Sequence, residues 1–189
     1  LAALGVEALA TREPGGSPGA EYIRKLILDP ERPELSALSE TLLFYAARND
    51  HLDTLISPSL AKGIWVVCDR FSDSTRAYQG ALGRVTDAQL AVMEKLVVGP
   101  TVPDLTLVLD LPAKIGLERA YQRRGDGKSD VFERQSLEFH EKLRDAFLGF
   151  VKAAPERFAV IDASGDEAIV RQWIWDVVSE RLLGGATHG

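Results

Sequence analysis

Cysteine is almost absent from this chain, because Cys68 is the only one among 189 residues. A single thiol cannot form an internal disulfide, which predicts a cytoplasmic protein, although a secreted chain without disulfides has the same composition. No apolar run approaches the roughly 20 residues of a membrane-spanning helix, and no signal peptide is visible. Basic charge is not in excess either, since the net charge is −6, so binding to nucleic acid or to an anionic membrane is not expected.

Motifs of several enzyme classes are also missing. One cysteine and three scattered histidines (His51, His140 and His188) offer no zinc-ligand spacing, and no serine or cysteine lies in a nucleophile elbow. Gly127-Lys128-Ser129 resembles the end of a phosphate-binding P-loop, but Gln122 occupies the position where that motif needs its first glycine. The stretch also follows a helix pattern instead of a strand, so we reject it as a P-loop.

The rest of the composition is that of an ordinary globular protein, with 46% hydrophobic and 26% charged residues. This balance excludes disordered and fibrous classes, and the length suffices for one domain with a sizeable core. Apolar strand patterns alternate with amphipathic helix patterns, which predicts an α/β domain with a mostly parallel sheet flanked by helices. The predicted strands are 6–10, 64–68, 105–110 and 158–162, and the predicted helices are 19–28, 36–50, 54–62, 86–97, 113–123, 133–153 and 167–183.

In a parallel sheet the ligand lies outside the carboxyl ends of the strands, so the loops that follow the four strands should line the site. Asp69 and Arg70 come directly after the strand predicted at 64–68, which its apolar residues suggest is buried on both faces. A carboxylate at a strand end can orient Mg²⁺ or its waters, and an arginine there can clamp a phosphate. A helix cap with a salt bridge explains the same pair equally well.

Aromatic and arginine side chains supply further candidates. Phe44 and Arg48 are one helical turn apart, and together they suit stacking on and hydrogen bonding to a flat base, although Phe44 alone would more often be core. Hydroxyl and amide side chains between Ser72 and Gly80 can read a base edge, although a polar helix start has the same composition. Arg12 and Glu13 form another charged pair at the end of a strand.

A group of basic residues surrounds a polar loop near residue 125. Arg119, Arg123, Arg124 and Lys128 predict either a lid that closes over phosphates or a solvated helix end. Arg24 taken alone is better explained as an exposed helix charge.

These motifs together resemble one family, bacterial thymidylate kinase. Three stretches carry the resemblance in order and spacing: Thr11-Arg12-Glu13-Pro14-Gly15-Gly16-Ser17, then Leu42-Leu43-Phe44 with Arg48, then Asp69-Arg70-Phe71 through Ala77-Tyr78-Gln79-Gly80. The resemblance covers essentially the whole chain, and the combination is specific although each piece alone is not. It implies a P-loop NTPase-like fold that transfers the γ-phosphoryl of ATP to dTMP in dTTP biosynthesis, with Mg²⁺ present.

The resemblance also implies a role for each site residue. The residues implied to bind dTMP are Arg12, Glu13, Arg24, Phe44, Arg48, Arg70, Thr75, Tyr78 and Gln79. The residues implied to be catalytic are Arg70, Asp69, Arg12 and Arg123, and Asp69 is also the implied metal ligand. The residues implied to approach ATP are Arg119, Arg123, Arg124 and Ser164, the last in a loop at 162–165 that resembles the adenine-side loop of the family.

Within the dTMP group the implied contacts differ. Phe44 would stack on thymine, whereas Arg48, Thr75 and Gln79 would read its edge. Tyr78 would pack near the deoxyribose and disfavour a 2′-hydroxyl. Glu13 would lie near the sugar. Three arginines would surround the phosphate: Arg12, Arg24 and Arg70.

The resemblance sets further expectations for the whole chain. We expect a single domain over 1–189 with a lid at about 119–133, and a homodimer. The family places its first, central strand and its P-loop ahead of Leu1, so we expect that segment upstream. Asp130-Val131-Phe132-Glu133 departs from the family, which commonly has arginine after the aspartate. A catalytically inactive nucleotide-binding module and a related deoxynucleotide kinase are the alternatives, and the upstream sequence and a preference for dCMP, respectively, would reveal them.

Overall fold

A computed structural model of the chain describes residues 1–82, 84–124, 132 and 134–184. The side chain of Arg124, the stretch containing Gly127-Lys128-Ser129 and most of the expected lid beyond Arg124 lie outside the described residues. The chain divides into two compact units, Leu1–Val102 and Pro103–Gly189, each of which has its own pair of parallel strands. The expectation of one domain over 1–189 stays a prediction.

In the first unit, strand β1 (Ala8–Arg12) pairs in parallel with strand β2 (Trp65–Asp69). Their register places Arg12 opposite Asp69, and the N–H of Glu13 continues the ladder by donating to the Asp69 carbonyl at 2.9 Å. The carboxyl ends of both strands therefore meet at one edge, as parallel pairing requires. The charged residues that follow the two strands are brought together by this register.

The helices described in the first unit are α1 (Pro18–Leu28), α2 (Ala37–His51), α3 (Ser57–Leu60), α4 (Ser72–Thr75) and α5 (Asp87–Val97). Two π-helical turns, Leu52–Ile56 and Arg76–Ala81, extend α2 into α3 and lengthen α4. Hydroxyl side chains cap three of the helices, because Ser17, Ser36 and Thr86 each accept a hydrogen bond from a backbone N–H of the first turn. Helix α1 packs against α2, which places the end of α2 beside the loop after β1.

The second unit contains β3 (Thr106–Asp110), α6 (Ala113–Arg124), α7 (Leu137–Ala153), β4 (Phe158–Asp162) and α8 (Glu167–Leu182). Strands β3 and β4 are parallel and place Asp110 opposite Asp162, so this unit too presents carboxylates at one strand edge. Phe158 is buried, and its ring lies 6.3 Å from that of Phe150 on α7. The aromatic contact holds α7 on the strand pair.

The α/β prediction is confirmed, and most element bounds agree with the predicted ones within one or two residues. The predicted helix at 133–153 begins later, at Leu137, because the Ser136 hydroxyl accepts the Phe139 N–H and caps it there. The prediction that β2 is buried on both faces is wrong, because Val67 is 54% exposed. Its apolar composition indicates a strand, but which faces are covered depends on tertiary packing. Within the described ranges no helix is long and apolar enough to cross a bilayer.

Candidate functional site

The loop after β1 turns sharply and folds back onto the start of α1. Gly16 has a φ of 90°, and a Cβ at this position would lie 2.3 Å from His51 Nε2 and 2.5 Å from Thr11 Oγ1. Only glycine fits so close to these side chains. The Gly16 N–H donates to Glu21 Oε1 at 2.9 Å, which ties the loop to α1.

A buried network of charged and polar side chains lies beneath this loop. Glu13 is only 6% exposed, and its Oε2 accepts from Arg48 Nε at 2.8 Å. Its other oxygen lies 3.2 Å from His51 Nδ1, while His51 Nε2 lies 2.8 Å from Thr11 Oγ1. Arg48 Nη2 donates to Thr75 Oγ1 at 3.0 Å. The network therefore joins β1, α2 and α4 through side chains that are far apart in sequence.

Arg48 is the most unusual member, because its guanidinium is 2% exposed. Its Nη1 is buried and has no hydrogen-bond partner among the described residues. The guanidinium carbon lies 4.9 Å from the centroid of the Tyr45 ring and 5.3 Å from that of Phe71. A buried donor without a hydrogen-bond partner is costly, so this nitrogen is an exception that calls for an explanation.

Two predicted base-reading residues stand next to Arg48. Phe44 lies one turn earlier on α2, on the same helix face, and is half-buried. Thr75 is buried and already bonded to Arg48. The Tyr45 ring lies beside the Arg48 guanidinium. Burial, and to a smaller extent the hydrogen bond to Glu94, raises the pKa of the Tyr45 hydroxyl, which keeps that hydroxyl neutral.

Gln79 belongs to a second buried network. It is 1% exposed, and its Nε2 donates to Glu40 Oε1 at 3.1 Å. Glu40 is also paired with Arg32 and, at 3.5 Å, with Arg84. Because its amide nitrogen is held by a carboxylate, the orientation of the Gln79 side chain is set.

The charged residues predicted to bind phosphate lie at the rim of the strand pair. Arg12 is exposed and pairs with Glu21 at 2.9 Å, while Arg24 donates to the Pro14 carbonyl from α1. The pKa of the Glu21 carboxyl is lowered, chiefly by the hydrogen bond from the Gly16 N–H and further by the charges of Arg12 and Arg24. Both arginines are thus drawn to the loop after β1.

Arg70 has a backbone φ of 65°, a conformation that residues other than glycine rarely adopt. The Cys68 thiol donates to the Arg70 carbonyl at 3.0 Å, and the Arg70 guanidinium donates to the Tyr78 hydroxyl at 3.3 Å while lying 5.5 Å from that ring's centroid. Asp69, which precedes it, is exposed. Strained backbone of this kind is concentrated at functional sites, where it aims a side chain.

In the second unit, Arg119 holds the loop after β4. Its Nη1 donates to the Ala163 carbonyl at 2.8 Å and its Nη2 to the Ser164 carbonyl at 3.0 Å. Asp162 Oδ1 accepts from the Ser164 N–H at 2.8 Å, and hydrogen bonds from Ser164 lower the pKa of that carboxyl. The loop is therefore fixed from both sides, and Arg123, farther along α6, is exposed.

The structure brings together Glu13, Arg48 and Thr75, and it places Phe44 beside them. Sequence reasoning missed two side chains that organise the predicted residues, His51 for Glu13 and Glu40 for Gln79. Helical spacing was an available signal for His51, since it lies three residues after Arg48 on the same helix. The Glu40 contact has a sequence separation of 39 residues and no local signal.

Comparisons with known proteins show which family the chain resembles. The sequence model of the family described as Thymidylate kinase matches residues 1–174. A thymidylate kinase of Afipia carboxidovorans is 52% identical over 178 residues, which are 94% of this chain and 78% of that protein. One of Caulobacter vibrioides is 50% identical over 182 residues, which are 96% of this chain and 86% of that protein. The crystal structure of thymidylate kinase from Ehrlichia chaffeensis matches with a TM-score of 0.70 at 30% identity, covering 91% of this chain and 80% of that chain.

Proposed function

Because the chain belongs to the thymidylate kinase family, we propose which of its residues bind the acceptor nucleotide and which serve ATP. The reaction is transfer of the γ-phosphoryl of ATP to dTMP, giving dTDP. Phosphoryl transfer depends mainly on positioning and on stabilising charge, so arginines matter more than a strong base.

The observation that carries the base assignment is the unpartnered Nη1 of Arg48. A guanidinium has only donors, so it suits a carbonyl oxygen such as O4 of thymine and disfavours the amino group of cytosine. Glu13 and Thr75 already hold the other two nitrogens of Arg48, so the orientation of the guanidinium is fixed. We assign the stacking contact to Phe44 on the same helix face, and further base contacts to Thr75 and Gln79.

For the sugar and phosphate we assign the rim residues. Arg12, Arg24 and Arg70 would surround the dTMP phosphate, and Tyr78 would pack near the deoxyribose. Glu13 is assigned to the region near the sugar from the family resemblance, and its bond to Arg48 holds that arginine in place. Arg70 is the best candidate to contact both the acceptor phosphate and the transferred phosphoryl, and its contact with Tyr78 supports the guanidinium.

Asp69 fits a role in binding Mg²⁺. It is an exposed carboxylate at the end of β2, and Mg²⁺ is usually held by one or two carboxylates together with substrate phosphates. No group of three metal-binding side chains occurs in the described ranges, which is consistent with phosphates completing the shell. When bound with ATP, Mg²⁺ neutralises charge that develops on the phosphate oxygens.

On the ATP side we assign Arg119 and Ser164 to shaping the adenine-side loop, because Arg119 already binds the Ser164 carbonyl. Arg123 is exposed and is assigned to the donor phosphates, where it would have a catalytic role. Arg124 is assigned to the same task from the family resemblance, with its side chain outside the described residues.

We also propose a cytoplasmic homodimer, as the family resemblance implies. Helices α2 and α5 carry exposed apolar side chains that an interface of this kind would cover, namely Leu38, Leu42, Val92 and Leu96. Sedimentation of the purified protein would show a dimer if the proposal is right, and a monomer at all concentrations would contradict it.

The test of the base assignment compares phosphoryl transfer to dTMP, dUMP and dCMP. We expect Arg48→Met to lower kcat/KM for dTMP about 10–100-fold, because a hydrogen bond from a charged donor is lost. The preference of the enzyme for dTMP over dCMP should become smaller in this variant. Arg171→Met, at an exposed arginine of α8, is the control. A wild-type preference for dCMP, or an Arg48→Met variant with unchanged discrimination, would contradict the assignment.

A further inference from the structure

His51 is a completely buried, titratable side chain that has no role in the proposed function. Its exposure is 0%, and it stands at the last position of α2. Both ring nitrogens are engaged, Nδ1 with Glu13 Oε1 at 3.2 Å and Nε2 with Thr11 Oγ1 at 2.8 Å. The ring therefore connects α2 to both the end of β1 and the loop that follows it.

The chemistry of the partners sets the roles of the two nitrogens. A carboxylate only accepts hydrogen bonds, so the hydrogen on His51 Nδ1 is donated to Glu13 in this hydrogen bond. In the neutral ring Nε2 then accepts from the Thr11 hydroxyl. Glu13 thus receives one bond from His51 and one from Arg48, and its two oxygens are held in different directions. A carboxylate held at both oxygens cannot rotate away from Arg48.

His51 also supports the loop by direct contact. The space where a Cβ of Gly16 would stand is filled by the ring, at 2.3 Å from Nε2. The loop begins just after Arg12 and contains Glu13. Arg24 donates a hydrogen bond to the Pro14 carbonyl of this loop. The position of the ring consequently affects the base-reading arginine through Glu13 and the phosphate-binding arginines through the loop.

We infer that His51 is a positioning residue for dTMP, acting through Glu13 on Arg48 without contacting the nucleotide. The inference rests on the proposed function, because it requires Arg48 to bind the base. An interaction made equally in the ground state and the transition state affects KM and leaves kcat unchanged. Loss of the His51–Glu13 bond should therefore raise KM for dTMP and leave KM for ATP and kcat nearly unaltered.

Three substitutions separate this role from simple packing. His51→Asn keeps a donor near the position of Nδ1 and loses the Thr11 contact. His51→Gln keeps a polar group near the position of Nε2 and loses the Glu13 contact. His51→Leu loses both. We expect KM for dTMP to rise about tenfold in the Gln and Leu variants, equivalent to about 1.4 kcal/mol, and to stay within about twofold of wild type in the Asn variant.

The control is Thr41→Val, which removes a buried hydroxyl from the same helix. Thr41 is 0% exposed and donates to the Ala37 carbonyl, so it tests the effect of destabilising α2 without touching the network around Glu13. We expect this variant to lose thermal stability and keep its KM for dTMP. Melting temperatures of all variants are measured beside the kinetics.

A wild-type enzyme that phosphorylates dTMP while His51→Gln shows an unchanged KM for dTMP overturns the role of His51 alone. A KM for dTMP that rises in Thr41→Val as much as in His51→Gln, or a KM for ATP that rises in parallel, assigns the effect to general destabilisation and overturns it as well. A wild-type protein that does not phosphorylate dTMP overturns the proposed function itself. Recovery in His51→Asn but not in His51→Gln supports the inference.

Discussion

Removing the carboxylate of Glu13 should destabilise the protein by about 3–5 kcal/mol, the usual cost of leaving a buried charge without its partner. Arg48 is 2% exposed, so without Glu13 its positive charge would be left in the protein interior without a carboxylate partner. In Glu13→Ala its Nε loses the acceptor at 2.8 Å, and its Nη1 already has none. The Thr75 hydroxyl, at 3.0 Å from Nη2, would remain as a hydrogen-bond partner, and the rings of Tyr45 and Phe71 would still lie beside the guanidinium.

The reverse substitution should cost less. In Arg48→Met, Glu13 keeps its bond to His51 Nδ1 at 3.2 Å, so we expect a loss of about 1–3 kcal/mol. The double variant removes the whole ion pair, and replacing such a pair with apolar groups is often nearly neutral. Its cost should therefore fall at least about 2 kcal/mol below the sum of the single costs.

Urea unfolding, followed by tryptophan fluorescence and by circular dichroism, measures the free energy of unfolding of wild type, the two single variants and the double variant under one set of conditions. Equal m values are required for the comparison, because a changed slope would indicate a changed denatured state. A loss below about 1 kcal/mol in Glu13→Ala, or additive costs in the double variant, would refute the argument that the pair is buried and coupled.

Two further predictions concern charge and pH. Arg144 binds Asp110 through both oxygens, at 2.6 and 2.8 Å, and this contact holds the pKa of Asp110 below its usual value. A lowered folded-state pKa stabilises the protein above the unfolded pKa of about 3.9, and this stabilisation is lost as the pH falls through the folded-state pKa. The urea midpoint of Asp110→Asn should therefore be lower than that of wild type at pH 7, and the two midpoints should converge below about pH 4. A difference in midpoint that persists at pH 2 would contradict this prediction. Partial burial raises the pKa of the Cys68 thiol to about 12. At pH 8 iodoacetamide should therefore alkylate the native protein about 10³-fold more slowly than the urea-unfolded chain, and similar rates would contradict the raised pKa.

The alternation of strands and helices was predictable from sequence because it depends on local patterns. The apolar run 64–68 is followed by two charged residues, and the structure places β2 there, ending at Asp69. Thr86 followed by Gln89 forms a capping box at the start of α5, which needs only neighbouring residues. The family was likewise recognisable, because its motifs are short stretches in a set order, and the comparisons confirm it.

Tertiary structure decided which polar side chains are buried and what they contact. The sequence by itself determined that Arg48 shares a helix face with Phe44, since helical periodicity is a local property. That Arg48 retains an unpartnered nitrogen while Glu13 is held by His51 depends on contacts across 35 and 38 residues. Contacts of that separation form only when the loop after β1 packs against α2, and burial then makes the loss of a hydrogen-bond partner costly, because a buried polar group is shielded from solvent.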